Sequence, residues 1–312
     1  MCGRAIWDEV PGRGRMQAQA LQVPFYENLP DLLQNAAIDG VIVDTPTTMH
    51  RDVMVAASQA GKHIFTEKVL APTLQESNQI VAAVTTAGVK LMVSLPQLYK
   101  GATLAIKDIL ERKVLGAVTK VRVSIAHDGA LRTQQHPQGW LPSSFFNPQQ
   151  TAGGAMIDLG AHPMYLTRLF LGKPERISAL YNSVAGRAVE DNAVAMLHYP
   201  QGTIGLVESS FVNPFSPLMI EVYGTQGSLF YGTPNSTVLI RATGAEKPAS
   251  EGWSAWTSIP PDQPTAFEQW IMHIQQGTVA TENIQIAVDL SAMMEAANQS
   301  ARTNQGVRLD RL

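Results

Sequence analysis

The sequence predicts an α/β fold in which a doubly wound parallel sheet is followed by an α+β domain with a large open, mainly antiparallel sheet. Three observations carry this expectation. From the start to about Ser94, short β-rich runs alternate with amphipathic segments, the pattern of parallel strands joined by crossover helices. Beyond Pro96 the rhythm changes, and strand patterns follow one another without helices between them. Two long helical stretches then close the chain. The change of rhythm places a domain boundary between residues 1–97 and 98–312.

Each element has its own signal. In the first part, strand-like runs cover Arg4 to Trp7, Val23 to Tyr26, Val41 to Asp44, His63 to Thr66 and Leu91 to Ser94. Helical stretches at Arg15 to Leu21, Asp31 to Asn35, Asp52 to Ala60 and Leu74 to Ala87 lie between them, and Gly61 and Gly88 follow two of these as stop signals. That alternation is the plan of a nucleotide-binding sheet. In the second part a helix from Ala102 to Leu110 leads into a long strand, Val118 to Ile125. Leu131 to Gln150 is rich in Gln, Pro and Ser and has the length of a site-covering lid, with His136, Gln138 and Trp140 as its polar and aromatic groups. Strand patterns then run from Ile177 to Asn182, Ala193 to His198, Ile204 to Ser210, Met219 to Tyr223, Ser228 to Tyr231 and Val238 to Ile240. The closing helices are Thr265 to Gln276 and Asn283 to Asn304, the second bearing a narrow stripe of Ile286, Leu290, Met293 and Ala297 suited to packing back on the body.

Composition bounds the function. Charged residues make up 16% and hydrophobic residues 45% of the 312, as in an ordinary globular protein, and a net charge of −3 offers no basic field for nucleic acid or an anionic membrane. The single cysteine, Cys2, permits no internal disulfide and no cysteine-built metal site. No apolar run is long enough to span a bilayer and no leader pattern opens the chain, so cytoplasm is the expected location, with no metal required.

The stretch from Thr151 to Lys173 is the expected centre of the chemistry. Asp158, His162, Tyr165 and Leu169 recur at helical spacing, and Met156, Leu159, Pro163, Leu166 and Phe170 form an adjoining apolar stripe. On a helix, Asp158 and His162 would sit one turn apart and reach the same small ligand. The alternative is a buried histidine satisfied by its neighbouring aspartate. Pro163 should kink the helix or make it begin anew.

Three motifs in order, TPTTMH at Thr45 to His50, GKHIFTEK at Gly61 to Lys68 and AGGAMIDLGAH at Ala152 to His162, resemble the Gfo/Idh/MocA family of NAD(P)-dependent oxidoreductases. VEDNAVAMLHYPQGTIGLVESSF at Val189 to Phe211 and GTQGSL at Gly224 to Leu229 extend the resemblance nearly end to end. It implies a Rossmann-type domain followed by a domain with an open sheet, and hydride transfer between nicotinamide, of NAD or NADP, and the hydroxyl or carbonyl of a sugar, polyol or cyclitol. Such a reaction needs a proton acceptor, a cation beside the developing alkoxide and a group that orients both. The resemblance gives these roles to His162, Lys68 and Asp158, with the base left open between His162 and Lys68. It also implies that Asp8, Thr45, Pro46, His50, Glu67 and Lys68 border the cofactor. Asp8 would favour the ribose hydroxyls of NAD, while Arg13 and Arg15 could attract the 2′-phosphate of NADP. His50 also has the simpler reading of opening the next helix.

The sequence departs from the family pattern at two places. Val69 stands where the family usually has proline after Glu-Lys. The chain opens on what resembles the second Rossmann strand, without the first strand and its glycine-rich turn, which implies unpaired edges on the strands at Arg4 to Trp7 and Val41 to Asp44. These departures motivate a second expectation, a non-catalytic ligand-sensing relative of the same fold. Finally, the strands from Ala193 to Tyr231 carry apolar residues on more than one face, which predicts a homo-oligomer built through the open sheet.

Overall fold

A computed structural model describes residues 5–232, 235–243 and 252–312. The first part contains helices α1 (Pro11–Leu21) and α2 (Leu29–Leu33), strand β1 (Gly40–Val43), helix α3 (His50–Gln59), strand β2 (His63–Thr66), helix α4 (Leu74–Ala87) and strand β3 (Leu91–Val93). The strands form a parallel sheet in the order β1-β2-β3. Their sequences, GVIV, HIFT and LMV, are apolar on both faces because both faces of β2 and β3 are covered. Helices α3 and α4 lie on one side, and on the other Phe65 and Met92 pack against Trp270.

The expected strands Arg4 to Trp7 and Val23 to Tyr26 reduce to one parallel bridge, Ile6 with Phe25, and Arg4 lies outside the described residues. Among the described residues β1 pairs only with β2, and Ile42 on it is 61% exposed.

Helix α5 (Gly101–Glu111) leads into the second sheet through β4 (Val118–Ala126). Helices α6 (Pro148–Thr151) and α7 (Ala161–Leu171) follow, then β5 (Arg176–Asn182), β6 (Asn192–His198), β7 (Ile204–Ser210), β8 (Met219–Gly224), β9 (Gly227–Tyr231), β10 (Leu239–Ala242) and β11 (Ser254–Ala255). The chain ends with α8 (Ala266–Gln276), α9 (Thr281–Thr303) and a short edge strand, β12 (Val307–Arg308). The sheet order is β11-β10-β9-β8-β4-β7-β6-β5-β12, antiparallel throughout except for the parallel pair β4 and β7. Strand alternation sends Val121, Val123, Ile177, Leu197, Val207, Ile220 and Val222 inward, where they are fully buried in the core shared with α7 and α9. The opposite face is left open. Helix α9 packs on β5, α7, α4 and β3, and so joins the two sheets. No helix among the described residues is long and apolar enough to cross a membrane.

The central stretch corrects the sequence expectation. Residues 152–160 form a series of turns, so Asp158 precedes the helix instead of lying on it, and α7 begins only at Ala161. Pro163 falls in the first turn of α7, where a missing N–H leaves no bond unmade, so the helix begins anew there and does not kink.

Candidate active site

Two glycines and one glutamate explain why the chain turns before α7. A Cβ on Gly154 would stand 2.1 Å from the Glu190 carbonyl oxygen, and one on Gly160 would stand 2.5 Å from that of Met156. Only glycine allows those approaches. Glu190 Oε1 accepts the backbone N–H groups of Gly154 (2.9 Å) and Met156 (3.1 Å), and the Glu190 carbonyl accepts that of Ala155 (2.9 Å). Burial pushes the Glu190 carboxyl up, although these backbone donors oppose the shift. This tie, made by a residue far along the chain, replaces the helical hydrogen bonds that the local periodicity suggested.

The turn delivers Asp158 to Lys68. Lys68 Nζ donates to Asp158 Oδ1 at 2.6 Å and to the Asp158 carbonyl at 2.7 Å. Lys68 reaches it from the carboxyl end of β2, and the Lys68–Val69 peptide is cis with Val69 buried behind it. The side chains of Lys68 and Asp158 are 12% and 27% exposed, which strengthens the pair over one on the open surface and leaves it reachable by a small molecule. His162 lies close enough to feel both charges. Burial and then the Lys68 cation lower its pKa to about 4, against an opposing pull from Asp158. Its Nδ1 is 3.1 Å from the hydroxyl of the fully buried Tyr165. The structure thus brings Lys68, Asp158 and His162 to one place.

His127 borders the same region, where the charge of Asp158 is felt. It follows β4, stacks on Phe211 with ring centres 5.0 Å apart, and accepts the Gly129 N–H at Nδ1. Trp140 packs 4.7 Å from it and donates Nε1 to Asp128. The expected lid, residues 131–150, is largely irregular, and Trp140 is its aromatic member, 46% exposed. Arg187 fastens the lid through the Gln138 carbonyl and lies over the Phe146 ring.

The expected cofactor residues gather at the strand ends. The buried Thr45 Oγ1 has no hydrogen-bond partner, and among the described residues nothing pairs with the Glu67 carboxylate. An orphaned hydroxyl and a free carboxylate at the carboxyl ends of β1 and β2 suit a ligand rich in hydroxyl and amide groups, so these residues fit a nicotinamide dinucleotide. Pro46 opens the turn that follows, where Thr48 bonds to the Gln149 carbonyl at 3.0 Å and ties this strand end to the lid. His50 begins α3 and is buried, with Nδ1 2.9 Å from the Val69 carbonyl and Nε2 3.1 Å from that of Thr45. The neutral ring has one N–H and donates it to one of these two carbonyls, so His50 serves the backbone at the strand ends. Asp8 accepts Arg13 through both oxygens, at 2.6 and 2.7 Å, and the Val10 N–H. Arg15 pairs with Glu27.

Sequence reasoning did not assign Tyr165, His127 or Glu190 to the site. Tyr165 carried a signal, since it stands three positions after His162 on the same stripe. Glu190 and His127 are brought in by tertiary contacts and had none.

Comparisons with known proteins identify the family. The family model of the oxidoreductase family with an NAD-binding Rossmann fold matches residues 4–95, and that of the GFO/IDH/MocA C-terminal domain matches residues 103–230. A scyllo-inositol 2-dehydrogenase (NAD(+)) of Bacillus subtilis (strain 168) is 28% identical over 328 aligned residues, covering 98% of this chain and 88% of that protein. A D-xylose 1-dehydrogenase (NADP(+)) of Haloferax volcanii is 26% identical, covering 98% of this chain and 91% of its own length. Among solved structures, levoglucosan dehydrogenase in complex with NADH and levoglucosan superposes with a TM-score of 0.81 at 20% identity, covering 99% of this chain and 90% of that one. With both halves matched in order and the Lys68, Asp158 and His162 cluster where the two halves meet, the chain belongs to the Gfo/Idh/MocA family of NAD(P)-dependent oxidoreductases.

Proposed function

We propose that this protein transfers a hydride between nicotinamide and a hydroxyl or carbonyl carbon of a sugar, polyol or cyclitol, with Lys68, Asp158 and His162 as its reaction centre. The observation that carries this reading is the Lys68–Asp158 pair beside His162, reached from the carboxyl end of a parallel strand. The relatives named inositol, xylose and levoglucosan dehydrogenases support the substrate class. Bound nicotinamide supplies the hydride acceptor or donor. The residues of this chain do the rest: Lys68 brings a cation or its lone pair to the substrate oxygen, Asp158 holds the Lys68 side chain in place, and His162 offers a ring nitrogen to the same oxygen.

Around the cofactor, Thr45 and Glu67 offer unpaired polar atoms, Pro46 shapes the turn, and His50 acts through the backbone it holds. Asp8 contributes through its pair with Arg13, which takes up both the group expected to favour NAD and one of those expected to favour NADP. Residues 1–97 form the cofactor domain and residues 98–312 the substrate domain. Trp140 and His127 offer an aromatic face and a donor suited to a polyhydroxylated ring. The ordinary charge balance and the lone cysteine support a cytoplasmic location.

A panel of sugars and cyclitols incubated with NAD and with NADP, followed by nicotinamide absorbance, tests the reading. Turnover of at least one of them that is lost in Lys68→Ala is expected. Ligand-dependent thermal shifts with no turnover across the panel would replace it with the ligand-sensing reading.

A further inference from the structure

The hydrogen bonds around Tyr165 decide which tautomer His162 adopts. Tyr165 is fully buried on α7, and its phenol oxygen accepts the backbone N–H of Gln97 at 3.0 Å. The same oxygen lies 3.1 Å from His162 Nδ1. A phenol has one proton to give. With Nδ1 bare, the Tyr165 O–H donates to it and every group is satisfied. With a proton on Nδ1, the phenol oxygen would receive two donors, and its own O–H would be left without an acceptor among the described residues. A buried polar group left unsatisfied costs about 1–3 kcal/mol, a bias of roughly five- to 150-fold toward the first arrangement. The neutral ring then carries its proton on Nε2, which makes no hydrogen bond within the described residues.

We propose that Tyr165 is a positioning residue that fixes His162 as an Nε2–H donor to the substrate oxygen, and that the substrate's hydroxyl proton therefore goes to Lys68. This rests on the hydride-transfer reading above. In the oxidation direction the Lys68 ammonium first releases a proton to solvent; the substrate C–H electron pair then leaves as hydride to nicotinamide, the O–H bond breaks, and its proton is taken up by the lone pair so exposed on Lys68 Nζ. The C–O bond becomes C=O and the Nε2 proton stays on His162 throughout. The two Asp158 oxygens at 2.6 and 2.7 Å occupy two of the three positions on Lys68 Nζ and leave the third for the substrate oxygen. The reverse reaction returns the proton from the Lys68 ammonium. A relay through His162 would leave Tyr165 as a phenolate, and burial pushes that phenol well above its usual value.

Long-range proton–nitrogen correlation on the full chain labelled with 15N-histidine reads the tautomer directly, with the His162 signals identified by their loss in His162→Gln. At neutral pH the proton is expected on Nε2, and Tyr165→Phe is expected to give a mixture of tautomers. A proton on Nδ1 in the wild type would overturn the proposal. This measurement needs no turnover, so it stands apart from the search for a substrate. Once a substrate is found, His162→Gln, whose amide can donate but not accept a proton, should keep kcat within about thirtyfold of wild type. Lys68→Met should lose roughly a thousandfold or more, the range for a general base. A His162→Gln enzyme as slow as Lys68→Met would also overturn it.

Discussion

Lys68 and Asp158 show how little of a site's energetics resides in a residue type. A Glu-Lys pair in a strand sequence is worth almost nothing on a surface, whereas here the cation meets two oxygens of one residue in a half-buried setting. Lys68→Ala is expected to lower turnover by two to four orders of magnitude, about what removing a positioned acid-base group costs. Asp158→Asn should cost less, because the carbonyl contact at 2.7 Å survives; equal losses in steady-state kinetics would mean that Asp158 itself takes part in proton transfer. His162 also couples the site to stability. Its folded pKa is lowered to about 4 by burial and Lys68, with Asp158 opposing, while an unfolded histidine titrates at about 6.5. The unfolded chain therefore binds a proton that the folded ring refuses. The associated stability is complete above about pH 6.5 and is lost as pH falls towards 4, a contribution on the order of 3 kcal/mol. Buried His50, lowered chiefly by desolvation, acts in the same direction. Urea midpoints across this range should fall less steeply for His162→Gln than for wild type. Parallel curves would show that His162 is not held neutral by the fold.

Elements built on periodicity were legible in the sequence, and those built on tertiary ties were not. The strands His63–Thr66 and Ile204–Ser210 and the helix Leu74–Ala87 end where their patterns, caps and following turns say they should. The trio Lys68, Asp158 and His162 was legible as a set of motifs, but the path between Asp158 and His162 was not. A helical stripe through Asp158 is present in the sequence, yet Glu190 takes the backbone donors of Gly154 and Met156 and pulls the segment into turns. Among the described residues β1 pairs only with β2, because the strand patterns at Arg4 to Trp7 and Val23 to Tyr26 reduce to a single bridge. Tyr165 shows the opposite limit: its spacing from His162 was visible, but the Gln97 N–H that gives the pair its direction is a contact between distant segments. Gly154→Ala tests the element that the sequence misassigned. The added methyl would meet the Glu190 carbonyl at 2.1 Å, and since backbone lies on both sides the turn must open. A loss of about 1–3 kcal/mol by chemical denaturation is expected, as for overpacking elsewhere, together with a fall in kcat as Asp158 leaves Lys68. Unchanged stability would show that the turn is less tightly tied to Glu190 than these contacts require.

On the scale of the whole molecule, the larger sheet has two unlike faces. The inner face carries α7, and with it His162, while the outer face presents Leu180, Met196 and Ile204, which are 63%, 38% and 38% exposed. These residues lie on adjoining strands, with Leu180 opposite Val194 and Met196 opposite both Ser178 and Leu206, so the apolar groups form a continuous strip. Beside it, Arg122 binds Glu208 through two nitrogens and Glu221 through a third, and Lys120 lies 4.5 Å from the Tyr223 ring. An apolar strip flanked by polar groups already satisfied within one chain is a surface that gains by covering itself with a second copy. Light scattering of the wild type is therefore expected to give at least twice the chain mass of 33.8 kDa. The double variant Leu180→Glu, Met196→Glu should fall towards the single-chain mass, because it places like charges against each other across a two-fold interface. Its kcat should stay within a few-fold of wild type, since the proposed reaction centre includes His162 on α7, which packs on the other face of the sheet. A wild type at 33.8 kDa across the micromolar range would remove the oligomer. A double variant that kept the assembled mass would instead move the interface away from this face.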